Sequence, residues 1–160
     1  MSRRWYVFLG AACALVVGGM SAGLVLAFSG TSAAAPPTKQ QYFAKVAAIC
    51  RYYGPKLDKI PPPIDVVIVS EIIQSVRKVE PLLRAEAEAV RRLTPPRALR
   101  AQLARWNKLN YASIAELGKS LREAKKMNFQ GVQGAYVAFV VKGAKAQKLG
   151  HSIGFPSPPC

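Results

Sequence analysis

Apolar positions between residues 39 and 150 recur three and four apart, and proline pairs cut that recurrence into four pieces. This is the spacing of one buried helix face, not the alternation of a strand. The first piece covers residues 39–57, with Tyr42, Phe43, Val46, Ala47, Ile49, Cys50 and Tyr53 on its apolar side. Gly54-Pro55 weakens its end, and the IPPP run at 60–63 closes it, because proline lacks an amide donor and disfavours helical geometry in the residue before it. The second piece covers 65–93 along Val69, Ile72, Val76, Val79, Leu83, Ala87, Val90 and Leu93, with Pro81 expected to kink it. The third covers 97–127, buried along Leu99, Leu103, Trp106, Ile114, Leu117 and Leu121, with Thr94 expected to cap it. The fourth covers 130–150 through Val132, Tyr136, Phe139, Val140, Gly143 and Leu149. Its glycines at 131, 134 and 143 lower its own propensity, so packing has to hold it. The tail from His151 is expected to run back over the bundle in extended form. Long helices joined by short breaks predict an all-α fold, a four-helix up-down bundle over 39–160.

Ahead of the bundle, residues 5–28 read WYVFLGAACALVVGGMSAGLVLAF and carry no charge. As a helix they span about 36 Å, enough for a hydrocarbon core of about 30 Å. Arg3 and Arg4 precede the run and no charge directly follows it, which orients the N-terminus to the cytoplasm and residues 29–160 to the outside. The segment is a transmembrane anchor, or a signal peptide cleaved near Ala34 that leaves the rest secreted. Residues 29–38, SGTSAAAPPT, form an Ala/Pro tether. Gly10, Ala14, Gly18 and Ala22 place small residues on one face of the apolar helix, where they allow self-association in lipid. Cys13 is preceded by Gly10 three places earlier, where a lipidated cysteine would have a residue such as leucine, and it reads as a small membrane residue.

An exported location changes the reading of the other two cysteines. Cys50 and Cys160 are not spaced as a zinc or redox pair, and outside the membrane they are expected to form a structural disulfide. It would close a loop of about 110 residues, worth about 4.7 kcal/mol in the chain-entropy account.

The charge balance is lopsided, with 23 basic against 8 acidic residues and a net charge of +15. Such a field favours anionic partners. Arg91, Arg92, Arg97, Arg100 and Arg105 gather near the second helical break, beside Trp106. Lys119, Arg122, Lys125 and Lys126, with Lys142, Lys145 and Lys148, form a second basic group along the third and fourth helices. These twelve are the candidate anion-binding residues.

Catalytic chemistry is sparse. His151 is the only histidine and has no acidic neighbour in sequence. Glu86 and Glu88 fall on different sides of their helix and make no carboxylate pair. Glu116 and Glu123 sit among lysines and arginines as ordinary ion-pair partners, and GVQG at 131–134 lacks the lysine of a phosphate loop. No cofactor, metal or enzyme activity is expected.

The apolar leader, the small-residue tether, AAIC at 47–50, the Pro-Pro breaks and the terminal Pro-Pro-Cys together resemble a loose group of small exported helical proteins of high-GC Gram-positive bacteria. That resemblance implies a secreted or membrane-held bundle and supplies no catalytic motif. The expected function is therefore that of a non-enzymatic module binding anionic lipid, wall polymer or a partner protein. A basic nucleic-acid-binding protein is the alternative, and an enzyme working through His151 or a thiol is the third.

Overall fold

The computed structural model describes residues 35–155. The apolar run 5–28, the small residues Gly10, Ala14, Gly18 and Ala22, Cys13, the cleavage position at Ala34 and Cys160 lie outside the described residues. The described chain is all-helical: α1 (Lys39–Leu57), α2 (Val69–Arg91), a short 3-10 turn (Arg97–Leu99), α3 (Arg100–Lys125) and α4 (Phe129–Ile153). No described helix is long and apolar enough to cross a membrane.

Each boundary has a local cause. Thr38 begins α1 with a capping box: its hydroxyl accepts from the Gln41 amide (3.2 Å) and the Gln41 side chain accepts from the Thr38 amide (2.9 Å). That satisfies two of the orphan donors at a helix start. Pro55 falls inside the last turn of α1 without ending it. The second helix starts at Val69, four residues later than the apolar pattern predicts. Asp65 holds the preceding stretch in a turn, accepting from the Val67 amide on its side chain (2.9 Å) and from the Ile68 amide on its carbonyl (3.1 Å). Such Asx turns compete with helix formation. Helix α2 runs on through Pro81. Thr94 does not cap the next element; Pro96 precedes the 3-10 turn, and no side-chain cap bond is made there.

Helix α4 is longer than expected at its C-terminus. Residues His151–Ile153 are helical rather than extended, and Gly154 ends the helix at φ 92°, the left-handed conformation that glycine adopts without steric penalty. Asn128 caps the other end by accepting from the Gly131 amide (3.0 Å). A Cβ on Gly131 would lie 2.5 Å from the Asn128 amide nitrogen, so the cap itself requires glycine there.

Packing resolves into two apolar clusters. One joins Tyr42 and Val46 of α1, Val90 of α2, Leu103 and Trp106 of α3, Ile153 at the end of α4 and Phe155 beyond it. Phe155 stacks obliquely on Phe43 (4.7 Å between centroids) and on Trp106 (4.9 Å). The second cluster joins Ile72, Val76, Leu117, Val132 and Tyr136, with Val69, Leu121 and Ala124 against it. Each fully buried side chain contributes on the order of 2 kcal/mol.

Ser120 Oγ donates to the Val132 carbonyl (3.2 Å) and Ser113 Oγ to the Phe139 carbonyl (2.8 Å). Contacts thus climb α4 while descending α3, and the two helices run antiparallel. The first cluster therefore marks one end of the structure, where α1 begins and α4 finishes. The second lies toward the other end, where α2 and α4 begin and α3 finishes.

Gly134 is exposed on α4, and a Cβ there would meet nothing within 4 Å. Gly134→Ala should raise stability by up to about 1 kcal/mol, the propensity difference in a helix interior. Urea denaturation followed by circular dichroism measures it. A fall in midpoint would mean that this position is packed in solution.

Candidate functional site

The candidate basic residues divide between the two ends of the bundle, and the division differs from their order in the sequence. Arg91 and Arg92 close α2, Arg97 lies in the 3-10 turn, Arg100 opens α3, and Arg105 follows just over one turn later. Lys145 and Lys148 are far from these in sequence but near in the fold, because Leu149 packs against the same cluster as Leu99 and Leu103. Lys119, Arg122, Lys125 and Lys126 lie toward the opposite end. Helix α3 separates Arg100 from Lys125 by about 37 Å at 1.5 Å per residue. Lys142 stands between the two groups and donates to Glu116 across the α3–α4 interface.

Ion pairing reduces the set further. Arg91 makes two hydrogen bonds to Glu88, through Nε (3.0 Å) and through the terminal guanidinium, with Arg92 3.9 Å away from the same carboxylate. Tyr111 also donates to Glu88 (2.6 Å). These donors, Arg91 first and then Tyr111, hold the Glu88 carboxyl down to about 2, and Glu88 in turn raises the Arg91 guanidinium above its usual range. Lys126 pairs with Glu123 (3.0 Å). Arg97, Arg100, Arg105, Lys119, Arg122, Lys125, Lys145 and Lys148 are exposed and form no ion pair among the described residues. Five of these eight belong to the end where α1 begins.

Glu86 is the residue that sequence reasoning missed. It follows Leu83 by three and precedes Val90 by four on α2, so it occupies a core position of the same stripe. Only 5% of it is exposed, and its Oε1 has no hydrogen-bond partner among the described residues. Burial raises its carboxyl from the ordinary 4.5 to about 7. The signal was present in the spacing, but an acidic residue reads as surface until a structure shows what surrounds it.

Other chemistry is thin. His151 is exposed near the end of α4. The described residues contain no group of three or more His, Cys, Asp or Glu able to hold a metal ion. A cleft of about 230 Å³ lies between Ile60–Ile64 and the α2 residues Glu71, Gln74, Ser75 and Lys78. It is smaller than the 300–1,000 Å³ usual for ligand pockets. Cys50, half-buried on α1, is disulfide-bonded. The described stretch has no second cysteine, so its partner lies outside those residues, as does the expected Cys160.

No protein family, no curated protein and no solved structure matches the chain.

The buried carboxyl makes stability depend on pH with a definite sign. Below about 4.5 Glu86 is protonated in both states. Between about 4.5 and 7 the unfolded chain releases its proton while the native state keeps it, so stability falls as pH rises. Above 7 the loss is constant, at most about 3 kcal/mol. Glu86→Gln should remove this slope and stabilise the protein at pH 8, as read from urea midpoints at pH 4.5 and 8. Parallel wild-type and variant profiles would show that Glu86 ionises freely.

Proposed function

We propose that this chain is a non-enzymatic helical module held at the outer face of a membrane by residues 5–28, or released there by cleavage near Ala34, with one basic end turned to an anionic surface. In this reading the four helices run up and down in turn. The anionic surface is lipid headgroups first, with wall polymer or an acidic partner protein as outcomes of the test. The observation that carries the reading is the meeting of two features at one end: Arg97, Arg100, Arg105, Lys145 and Lys148 without ion pairs among the described residues, and the start of α1, to which the tether is joined. A tether of ten residues reaches at most about 36 Å, which keeps the start of α1 near the bilayer. Near an anionic membrane each such residue contributes roughly 1 kcal/mol.

The fragment 36–160 should sediment with anionic vesicles and not with neutral ones. Replacing Arg97, Arg100 and Arg105 by alanine should weaken that association by about 3 kcal/mol, on the order of a hundredfold. Equal binding to both vesicle types would remove the electrostatic reading. A steep salt-dependent gel shift without vesicle binding would favour nucleic acid instead.

The disulfide partner proposed for Cys50 is Cys160. Phe155 packs on Phe43, and Phe43 and Cys50 are seven residues, about 10 Å, apart along α1. Five residues beyond Phe155 reach up to about 17 Å. Non-reducing peptide mapping should therefore return a linked fragment holding both cysteines, lost on reduction. Alkylation of both thiols without reductant would refute the pairing.

A further inference from the structure

Helix α4 differs from its neighbours on the side that faces solvent. The outward sides of α1, α2 and α3 carry Lys45, Arg77, Arg84, Arg105 and Lys108, all exposed. The outward stripe of α4 runs through Gln130, Gly134, Val137, Val141 and Ala144, all exposed, with no charge until Lys145. Val137 is 52% exposed and Val141 48%. Residues 127–141 contain no charged side chain, and the chain holds no Asp or Glu after Glu123.

The apolar surface continues past the start of the helix. Met127 is 72% exposed and Phe129 52%. Met127 also sits at φ 60°, a conformation that is an outlier for a bulky side chain. The loop before α2 adds Ile64, 91% exposed, and Val67, 68% exposed. Gln133 Nε2 donates to the Val67 carbonyl (3.2 Å), which fastens that loop to the first turns of α4. Lysines bound this surface at both ends, Lys125 and Lys126 on one side and Lys145 and Lys148 on the other, all exposed.

We infer that the outward face of α4, continued by Met127, Phe129, Ile64 and Val67, lies in the interfacial layer of an anionic bilayer. This rests on the reading that residues 5–28 bring the domain to a membrane. An uncharged helix side carrying Val137 and Val141, with cations at both ends, suits a position in the plane of an anionic membrane surface, with lysine stems following the apolar side and ammonium groups on the headgroups. A second copy of the chain is a poor occupant, because it would set these lysines against their own kind. The position of the tether favours the same orientation. Phe155, two residues past α4, packs on Phe43 in the second turn of α1, and a Cβ on Gly154 would lie 2.8 Å from Lys39 Nζ. The chain leading to residues 5–28 thus leaves beside the C-terminal end of α4. With α4 flat on the bilayer, the arginine end and the apolar end both reach the same membrane.

The test uses the full chain in vesicles of phosphatidylglycerol and phosphatidylcholine whose acyl chains are brominated. Val141→Trp and Ala44→Trp are each made on a Trp5→Phe background, which leaves buried Trp106 as the only other indole. Both reporter positions are exposed, so neither substitution disturbs the core. The Val141→Trp indole should emit to the blue and lose much of its emission to brominated lipid. The Ala44→Trp indole should stay open to acrylamide. Adding Val137→Asp to the Val141→Trp chain should bring its quenching down to the Ala44→Trp level. If the chain floats with the vesicles but the Val141→Trp indole behaves like Ala44→Trp, the α4 placement is wrong and the membrane reading stands. If the chain does not float at all, both fall.

Discussion

The antiparallel contact of α3 with α4 is the constraint on which the remaining structure rests. Two buried serines on α3 direct their hydroxyls to backbone carbonyls of α4, Ser113 to Phe139 and Ser120 to Val132. Gly143 lies opposite Ser113, where a Cβ would stand 3.4 Å from the hydroxyl. Small residues at these positions let the helix backbones approach, and the hydrogen bonds set their register. From that register follow the levels of Leu117 beside Val132 and of Trp106 beside Phe155, and with them the two clusters that receive α1 and α2. It also decides which side of α4 turns to the core and which is left outward.

Between the two apolar clusters the interior mixes the buried apolar residues Ile114 and Ala146 with two glutamates. Glu86 on α2 is buried without a partner at Oε1, and Glu116 pairs with Lys142 through one oxygen while the other is buried without one. Neither arrangement is a strong source of stability, since taking a carboxyl group out of water costs more than a single contact returns. Their value lies in selection. An all-apolar seam tolerates sliding by a turn, whereas a carboxylate that must meet Lys142 does not. The Glu116–Lys142 pair and the serine hydroxyls therefore favour the same α3–α4 register.

Most of the helical layout was legible in the sequence because proline breaks and apolar stripes spoke together. The first helix matches its expected span, and Ile72, Val76 and Val90 on the α2 stripe are buried as their spacing implies. What failed was decided by short-range competition. Asp65 turned IDVV into a loop, and a glycine at 154 let α4 continue through His151. The basic residues were legible as a list but not as a surface. Their grouping follows from the antiparallel return of α4, which moves Lys145 and Lys148 toward Arg105 and leaves Lys125 at the far end. Glu86 was hidden for a different reason: residue type outweighed position, and only the packing of neighbours reverses that weighting.

The placement of Phe155 has a consequence for how the chain reaches its final form. The cluster around Tyr42 and Val46 is completed by Ile153 and Phe155, more than a hundred residues later. A polypeptide emerging N-terminus first, from a ribosome or through a channel, presents α1 with an open apolar flank until Ile153 and Phe155 have emerged. The opposite cluster needs nothing beyond Val140 and can close earlier. Assembly is thereby staggered in time, with the first helix waiting for the last and exposed to wrong associations meanwhile.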